Sequence, residues 1–108
     1  MQVFWSDTAT ETLRDIYVYY KELAGKNTAG KIKRTIFTAT KQLVRYPQSG
    51  QIEENLKLLG EDHRYLIAGN YKIIYKNVNA GVLVTDVFDT RQDPSKINIT
   101  RRRKSEKN

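Results

Sequence analysis

The sequence predicts an α+β fold, with an N-terminal strand and a helical hairpin packed on one face of a small antiparallel sheet. Three observations carry this. Residues 63–94 contain three apolar runs rich in Tyr, Ile and Val, spanning 65–68, 71–75 and 82–88, a composition that suits strands. Gly69-Asn70 separates the first two runs and Asn77 to Gly81 the last two. These residues accept positive φ, so the runs fold as a meander of two hairpins. Ahead of the meander lie two stretches with apolar residues at helical spacing, which form the layer covering one sheet face.

In chain order, Val3-Phe4-Trp5 is a short apolar start that adds an edge strand. Thr8-x-x-Glu11 fits a capping box, and Leu13, Ile16, Tyr17, Tyr20, Leu23 and Ala24 then recur at helical spacing. A helix over 8–24 follows, with Gly25 as its stop. Asn27-Thr28 caps a second helix whose stripe is Ile32, Ile36, Ala39 and Leu43, widened by Phe37 and Val44. Pro47 biases Tyr46 away from helix and ends it. The linker of about three residues makes the pair an antiparallel hairpin. Gln48-Ser49-Gly50 is a turn, 51–59 is strand or packed coil, and Gly60-Glu61-Asp62 turns into the meander. In the central strand Tyr71, Ile73 and Tyr75 share one face, and Lys72, Ile74 and Lys76 the other. The predicted core is Phe4, Leu13, Ile16, Tyr20, Ile32, Ile36, Leu43, Tyr71, Ile73, Tyr75, Val84 and Val87. A last half-turn over 95–100 packs Ile97 and Ile99 back.

A chain of 108 residues is one domain, assigned to 1–100. Residues 101–108 lack apolar side chains and read as a basic, disordered tail. No run approaches the ~20 apolar residues of a membrane span, and the start does not resemble a signal peptide. The absence of cysteine fits the cytoplasm. Formal net charge is +7. Arg101, Arg102, Arg103, Lys104 and Lys107 against Glu106 give the last eight residues +4, which leaves +3 for the hundred before. A basic protein favours acidic partners, either nucleic acid or an acidic protein that masks it.

One histidine and no cysteine make no zinc site of the usual kind, and no glycine-rich phosphate loop occurs. No metal and no cofactor is expected. Ser49 and Ser95 have no histidine at suggestive spacing. What remains is a set of cations and phenols: Lys57, His63, Arg64, Tyr65, Lys72 and Arg91. A metal-free ribonuclease uses such a set as base, acid and phosphate-stabilising cations. His63 alone has an unperturbed pKa near neutrality, although a surface histidine beside a turn is the plainer reading. Strand parity and a shared hairpin end place Lys72 and Arg91 on one surface, on the sheet face away from the helices.

The order of short strand, helical hairpin and three-stranded meander has sequence companions. Asn70-Tyr71-Lys72-Ile73-Ile74-Tyr75, with Val87-Phe88-Asp89-Thr90-Arg91-Gln92-Asp93-Pro94, resembles the RelE/ParE superfamily of bacterial type II toxins. The opening Trp5-Ser6-x-x-Ala9 is similar to that family as well, and the likeness covers about 3–97. The resemblance implies a growth-inhibiting toxin neutralised by a cognate acidic antitoxin in a hetero-oligomer. It leaves open ParE-like binding to DNA gyrase, RelE-like ribosome-dependent mRNA cleavage without metal, and a degenerate member that only binds antitoxin. For a nuclease the resemblance implies Arg64, Lys72 and Arg91 as catalytic. Lys57, His63, Arg64, Lys72 and Arg91 are the expected RNA- or target-binding residues. Lys72 stands where the nuclease motif has arginine, which keeps charge but loses the bidentate fork. Ile97 lies near where a catalytic tyrosine would come, and the ending Arg91-Gln-Asp-Pro94 looks more like ParE.

Overall fold

The computed structural model describes residues 2–93 together with Lys96 and Ile97. Chain order is β1 (Gln2–Trp5), α1 (Asp7–Ala24), α2 (Lys26–Thr40), α3 (Gln42–Arg45), β2 (Gln51–Ile52), a 3₁₀ segment (Glu54–Leu59), β3 (Arg64–Ala68), β4 (Tyr71–Val78) and β5 (Gly81–Asp89). The tail and Ile99 lie outside the described residues.

The strands form one five-stranded sheet in the order β1-β5-β4-β3-β2. The meander folds as its turn residues predict, with β3, β4 and β5 paired antiparallel. The sheet as a whole is mixed, however, because β1 runs parallel to β5, from Gln2 opposite Gly81 to Trp5 opposite Val84. The long crossover through the helices permits this pairing, as a parallel pair requires. At Gly81 a side chain would collide with the backbone of Gln2, so β1 approaches that position only because it is glycine.

The α1 cap is Ser6, not Thr8. The Ala9 amide donates to Ser6 Oγ at 3.1 Å, satisfying one of the orphan first-turn donors. Ser6 also ties the helix to the sheet: its amide donates to Val84 O at 2.9 Å and its hydroxyl to Thr85 O at 3.2 Å. Thr85 is the residue left over at the β4/β5 irregularity, where Ile74 pairs Asp86 and Tyr75 pairs Val84. Gly25, at φ 96°, is the entire link between α1 and α2. Gly25→Ala forces an L side chain into that region and is expected to cost about 1–2 kcal/mol, read as a lower urea midpoint. α2 breaks at Lys41, where Thr40 Oγ1 donates to Phe37 O at 2.7 Å, and α3 resumes as far as Arg45.

Two cores flank the sheet. The larger buries Ala9, Leu13, Ile36, Leu43, Tyr71, Ile73, Tyr75, Val84 and Val87, with Ile16, Tyr20 and Ile32 partly buried against it. Phe4 is a correction: it is 38% exposed, and its neighbours Val3 and Trp5 pack inward instead. A run of three apolar residues has no alternation to fix strand parity, so either phase fits it. The second core lies on the opposite face, where Leu56, Ile74, Phe88 and Ile97 are buried with Leu59 and Tyr65 beside them. The 3₁₀ segment therefore covers a sheet face that the Lys72/Lys76 pattern reads as solvated.

Candidate functional site

The motif cations occupy two separate surfaces. Lys72 projects from β4 toward the second core. Its Nζ is 3.0 Å from Glu53 Oε2 and 4.3 Å from the centroid of the Tyr65 ring. Glu53 is only 1% exposed. It also accepts from the Asn55 amide at 3.1 Å and Asn55 Nδ2 at 2.8 Å, and so begins the 3₁₀ segment. Burial alone would raise the Glu53 carboxyl, but the bonds from Asn55 and Lys72 outweigh it and hold the group below its ordinary range.

Arg64 is a clamp. Its Nη1 donates to Gly50 O at 3.1 Å and Gln48 O at 3.4 Å, while Nη2 lies 3.7 Å from Asp62. The Gly50 amide donates to Tyr75 Oη at 2.9 Å, so the 48–50 turn is held from both sides. Lys57 is exposed and pairs with Glu54 at 3.2 Å. Lys76 pairs with Glu61 at 2.9 Å. His63 is 2% exposed and is not the surface histidine the turn beside it suggests. Its imidazole is not displayed to a partner, which corrects its placement among binding residues.

Arg91 lies on the other side of the sheet. Asp89 Oδ1 accepts from the Arg91 amide and from Nε, both at 2.9 Å, and Asp89 Oδ2 accepts from Nη2 at 2.7 Å. This Asx-type turn bends the chain back toward α1, where Nη2 also donates to Tyr20 Oη at 3.4 Å. Thr90 fixes the bend by donating its amide and hydroxyl to Asn70 O at 2.8 and 2.9 Å. Lys72 and Arg91 thus share a sheet end but not a face, and the single cation surface expected from parity does not form. Parity holds only within the strand, which ends at Asp89.

Arg91 borders a cleft of about 620 Å³ between α1 and the end of β5, walled by Ile16, Tyr19, Tyr20, Leu23, Tyr71 and Asp89 among others. Sequence spacing did not reveal it. Its signal is the α1 residues Tyr19 and Leu23, which are largely exposed and so spare from the core. The hydrogen bond from Arg91, followed by one from Tyr71, lowers the Tyr20 phenol from its ordinary value, whereas burial and the Tyr20 bond raise Tyr71. Arg91→Ala is expected to move the Tyr20 titration upward, measured by tyrosinate absorbance against wild type. It should leave the melting temperature nearly unchanged, because an exposed ion pair is worth ~0–1 kcal/mol. A smaller depression of about 240 Å³ on the opposite side of α1 is lined by Arg14, Tyr17, Lys33 and Phe37. Lys33 Nζ lies 5.6 and 6.0 Å from the two ring centroids.

Among the described residues no group of His, Asp and Glu is arranged to hold a metal ion, and no helix is long and apolar enough to cross a membrane.

A helical hairpin over a meander, closed by a parallel N-terminal strand, is the architecture of a RelE/ParE-type toxin. The sequence model of the family described as "ParE toxin of type II toxin-antitoxin system, parDE" matches residues 3–94, and the chain belongs to that family. No curated protein matches the sequence. Among solved structures, the fold is similar to a chain of the chromosomal ParDE toxin–antitoxin system from P. aeruginosa, with a TM-score of 0.69 at 20% identity. That likeness covers 82% of this chain and 95% of the other.

Proposed function

We propose that this chain inhibits growth by binding DNA gyrase and that a cognate acidic antitoxin neutralises it. Membership of the ParE family supports the first part. The observation that weighs most against RNA cleavage is the state of the motif cations. Lys72 is held by a buried carboxylate, Arg64 by backbone carbonyls, and Arg91 stands on the opposite face. Phosphoryl chemistry needs such cations converged and free to meet a phosphate.

Two surfaces fit the antitoxin. β2 pairs only with Arg64 and Tyr65, so residues 66–68 of β3 have no strand on their outer side among the described residues, and Ile67 is exposed there. An extended peptide adds to such an edge. Arg14 and Lys33, around the Tyr17 and Phe37 rings, offer apolar contact with cations at its rim, which suits an acidic amphipathic helix. A partner that binds only the folded toxin raises its stability by mass action, so the complex is expected to melt higher than the toxin alone. The antitoxin test is a pull-down of the product of the neighbouring reading frame, followed by melts with and without it. A product that neither binds nor restores growth removes that half of the reading.

The test of the target is induction of the chain in bacteria, with the DNA-damage response and mRNA integrity followed in parallel. Gyrase poisoning predicts DNA breaks with intact mRNA. Ribosome-dependent cleavage would establish the nuclease alternative, and normal growth a degenerate antitoxin-binding member.

A further inference from the structure

The cleft between α1 and β5 has a charge that the rest of the molecule does not share. Its fixed walls present Asp15 from α1 and Asp86 and Asp89 from β5, against the single cation Arg91, in a protein of net charge +7. Arg91 and Asp89 neutralise each other at 2.7 Å. Asp15 makes no hydrogen bond or ion pair among the described residues, whereas on the opposite sheet face Glu53, Glu54 and Glu61 each hold a lysine. The cleft also exposes the phenol rings of Tyr19 and Tyr20, one edge-on to the other at 5.0 Å. Carboxylates beside aromatic faces form a site for guanidinium and ammonium groups, which pair with the first and stack on the second.

The chain carries such groups close by. Lys96 already lines the cleft. Ile97, one residue on, is buried against Phe88, and Phe88 also lines the cleft, so the C-terminal leg is pinned at its rim. Residues 101–108 begin four positions later, within about 14 Å of Ile97 even when fully extended. They hold Arg101, Arg102, Arg103, Lys104 and Lys107 against a single acid. A tethered segment meets a nearby site at an effective concentration in the millimolar range, so weak individual contacts suffice to occupy it.

We propose that residues 101–108 dock in cis in the α1/β5 cleft, with their arginines on Asp15 and the tyrosine rings. The tail then masks the exposed apolar stripe of α1, and a partner for that stripe must displace it. This inference does not depend on which target the toxin binds.

The absence of cysteine allows a clean test on the full chain. Asn108→Cys carries a single nitroxide label, and amide signals are read in the oxidised and reduced states. The expected result is loss of most intensity at Ile16, Tyr19, Leu23 and Val87, with Tyr65 and Leu59 on the far face spared. The loss should disappear in the background Arg101→Gln/Arg102→Gln/Arg103→Gln, shrink with Asp15→Asn, and fade toward 1 M salt, where the screening length is about 3 Å. An unchanged melting temperature excludes misfolding of these surface variants. Broadening that is uniform, that centres on the far face, or that survives the arginine changes would overturn the proposal. So would broadening carried entirely by a labelled second molecule mixed with unlabelled isotopic chain, which would place the tail in trans.

Discussion

Glu53→Ala is expected to destabilise the protein by about 3 kcal/mol, the cost of stranding one member of a buried ion pair. The carboxylate is almost fully buried, accepts three hydrogen bonds, and joins the start of the 3₁₀ segment to β4. Its removal leaves the Lys72 ammonium with only the Tyr65 ring, and 18% of the Lys72 side chain reaches solvent. A loss of this size lowers the melting temperature by roughly 12–24 °C for a domain near 100 residues. Lys72→Met should also destabilise. The double variant Glu53→Gln/Lys72→Met should recover part of the loss, because neither side then keeps an unpaired charge. Acidification gives an independent reading. The folded-state pKa of Glu53 is depressed, so its contribution is present above its ordinary value of 4.5 and is lost as pH falls through the lower folded value. The stability gap between wild type and Glu53→Gln should therefore narrow below about pH 4.5. A gap that is small at neutral pH, or that widens on acidification, would show that the pair does not hold the segment.

Ile74→Ala is expected to cost about 3 kcal/mol, within the ~2–5 kcal/mol of buried Ile-to-Ala changes. Ile74 is fully buried between Leu56, Phe88 and Ile97. Were its face solvated, as its position between two lysines suggests, the change would cost well under 1 kcal/mol. Lys76→Ala, on the same face and paired with exposed Glu61, serves as the control and should cost ~0–1 kcal/mol. Denaturant midpoints of the two variants decide the matter. Equal and small shifts would remove the second core.

The legible parts of the sequence are those with long periodicity or strong punctuation. α1 runs to Gly25 as its stripe demands, and the meander turns where Gly69-Asn70 and the segment before Gly81 allow positive φ. The inward set Tyr71, Ile73 and Tyr75 follows from alternation alone. What alternation misses is a lysine whose stem lies over an apolar layer. Lys72 and Lys76 look like solvent markers, but their ammonium groups end on Glu53 and Glu61 at the margin of the cap that buries Ile74. Leu56, Phe88 and Ile97 were apolar residues without a place in the predicted core, and together they pointed to a second one. The candidate site was less legible. Arg64 and His63 are the right residue types for a nuclease, but the first is spent on the 48–50 turn and the second is buried. Neither fate shows in spacing. Arg91 swings to the helix face through the Asp89 turn, a local hydrogen-bond pattern beyond the end of the strand. Reading Asp89-Thr-Arg91 as a turn rather than a strand extension was the one available signal.

The central claim is that the motif cations of this chain hold its structure, and that its toxicity comes from a protein target. The most direct measurement presents the purified chain, in parallel, to DNA gyrase with supercoiled plasmid and to translating ribosomes with a defined mRNA. Inhibited supercoiling or gyrase-linked DNA cleavage, with mRNA intact, is the expected result. Ribosome-dependent mRNA cleavage that Arg64→Ala or Arg91→Ala abolishes, with gyrase unaffected, would contradict it.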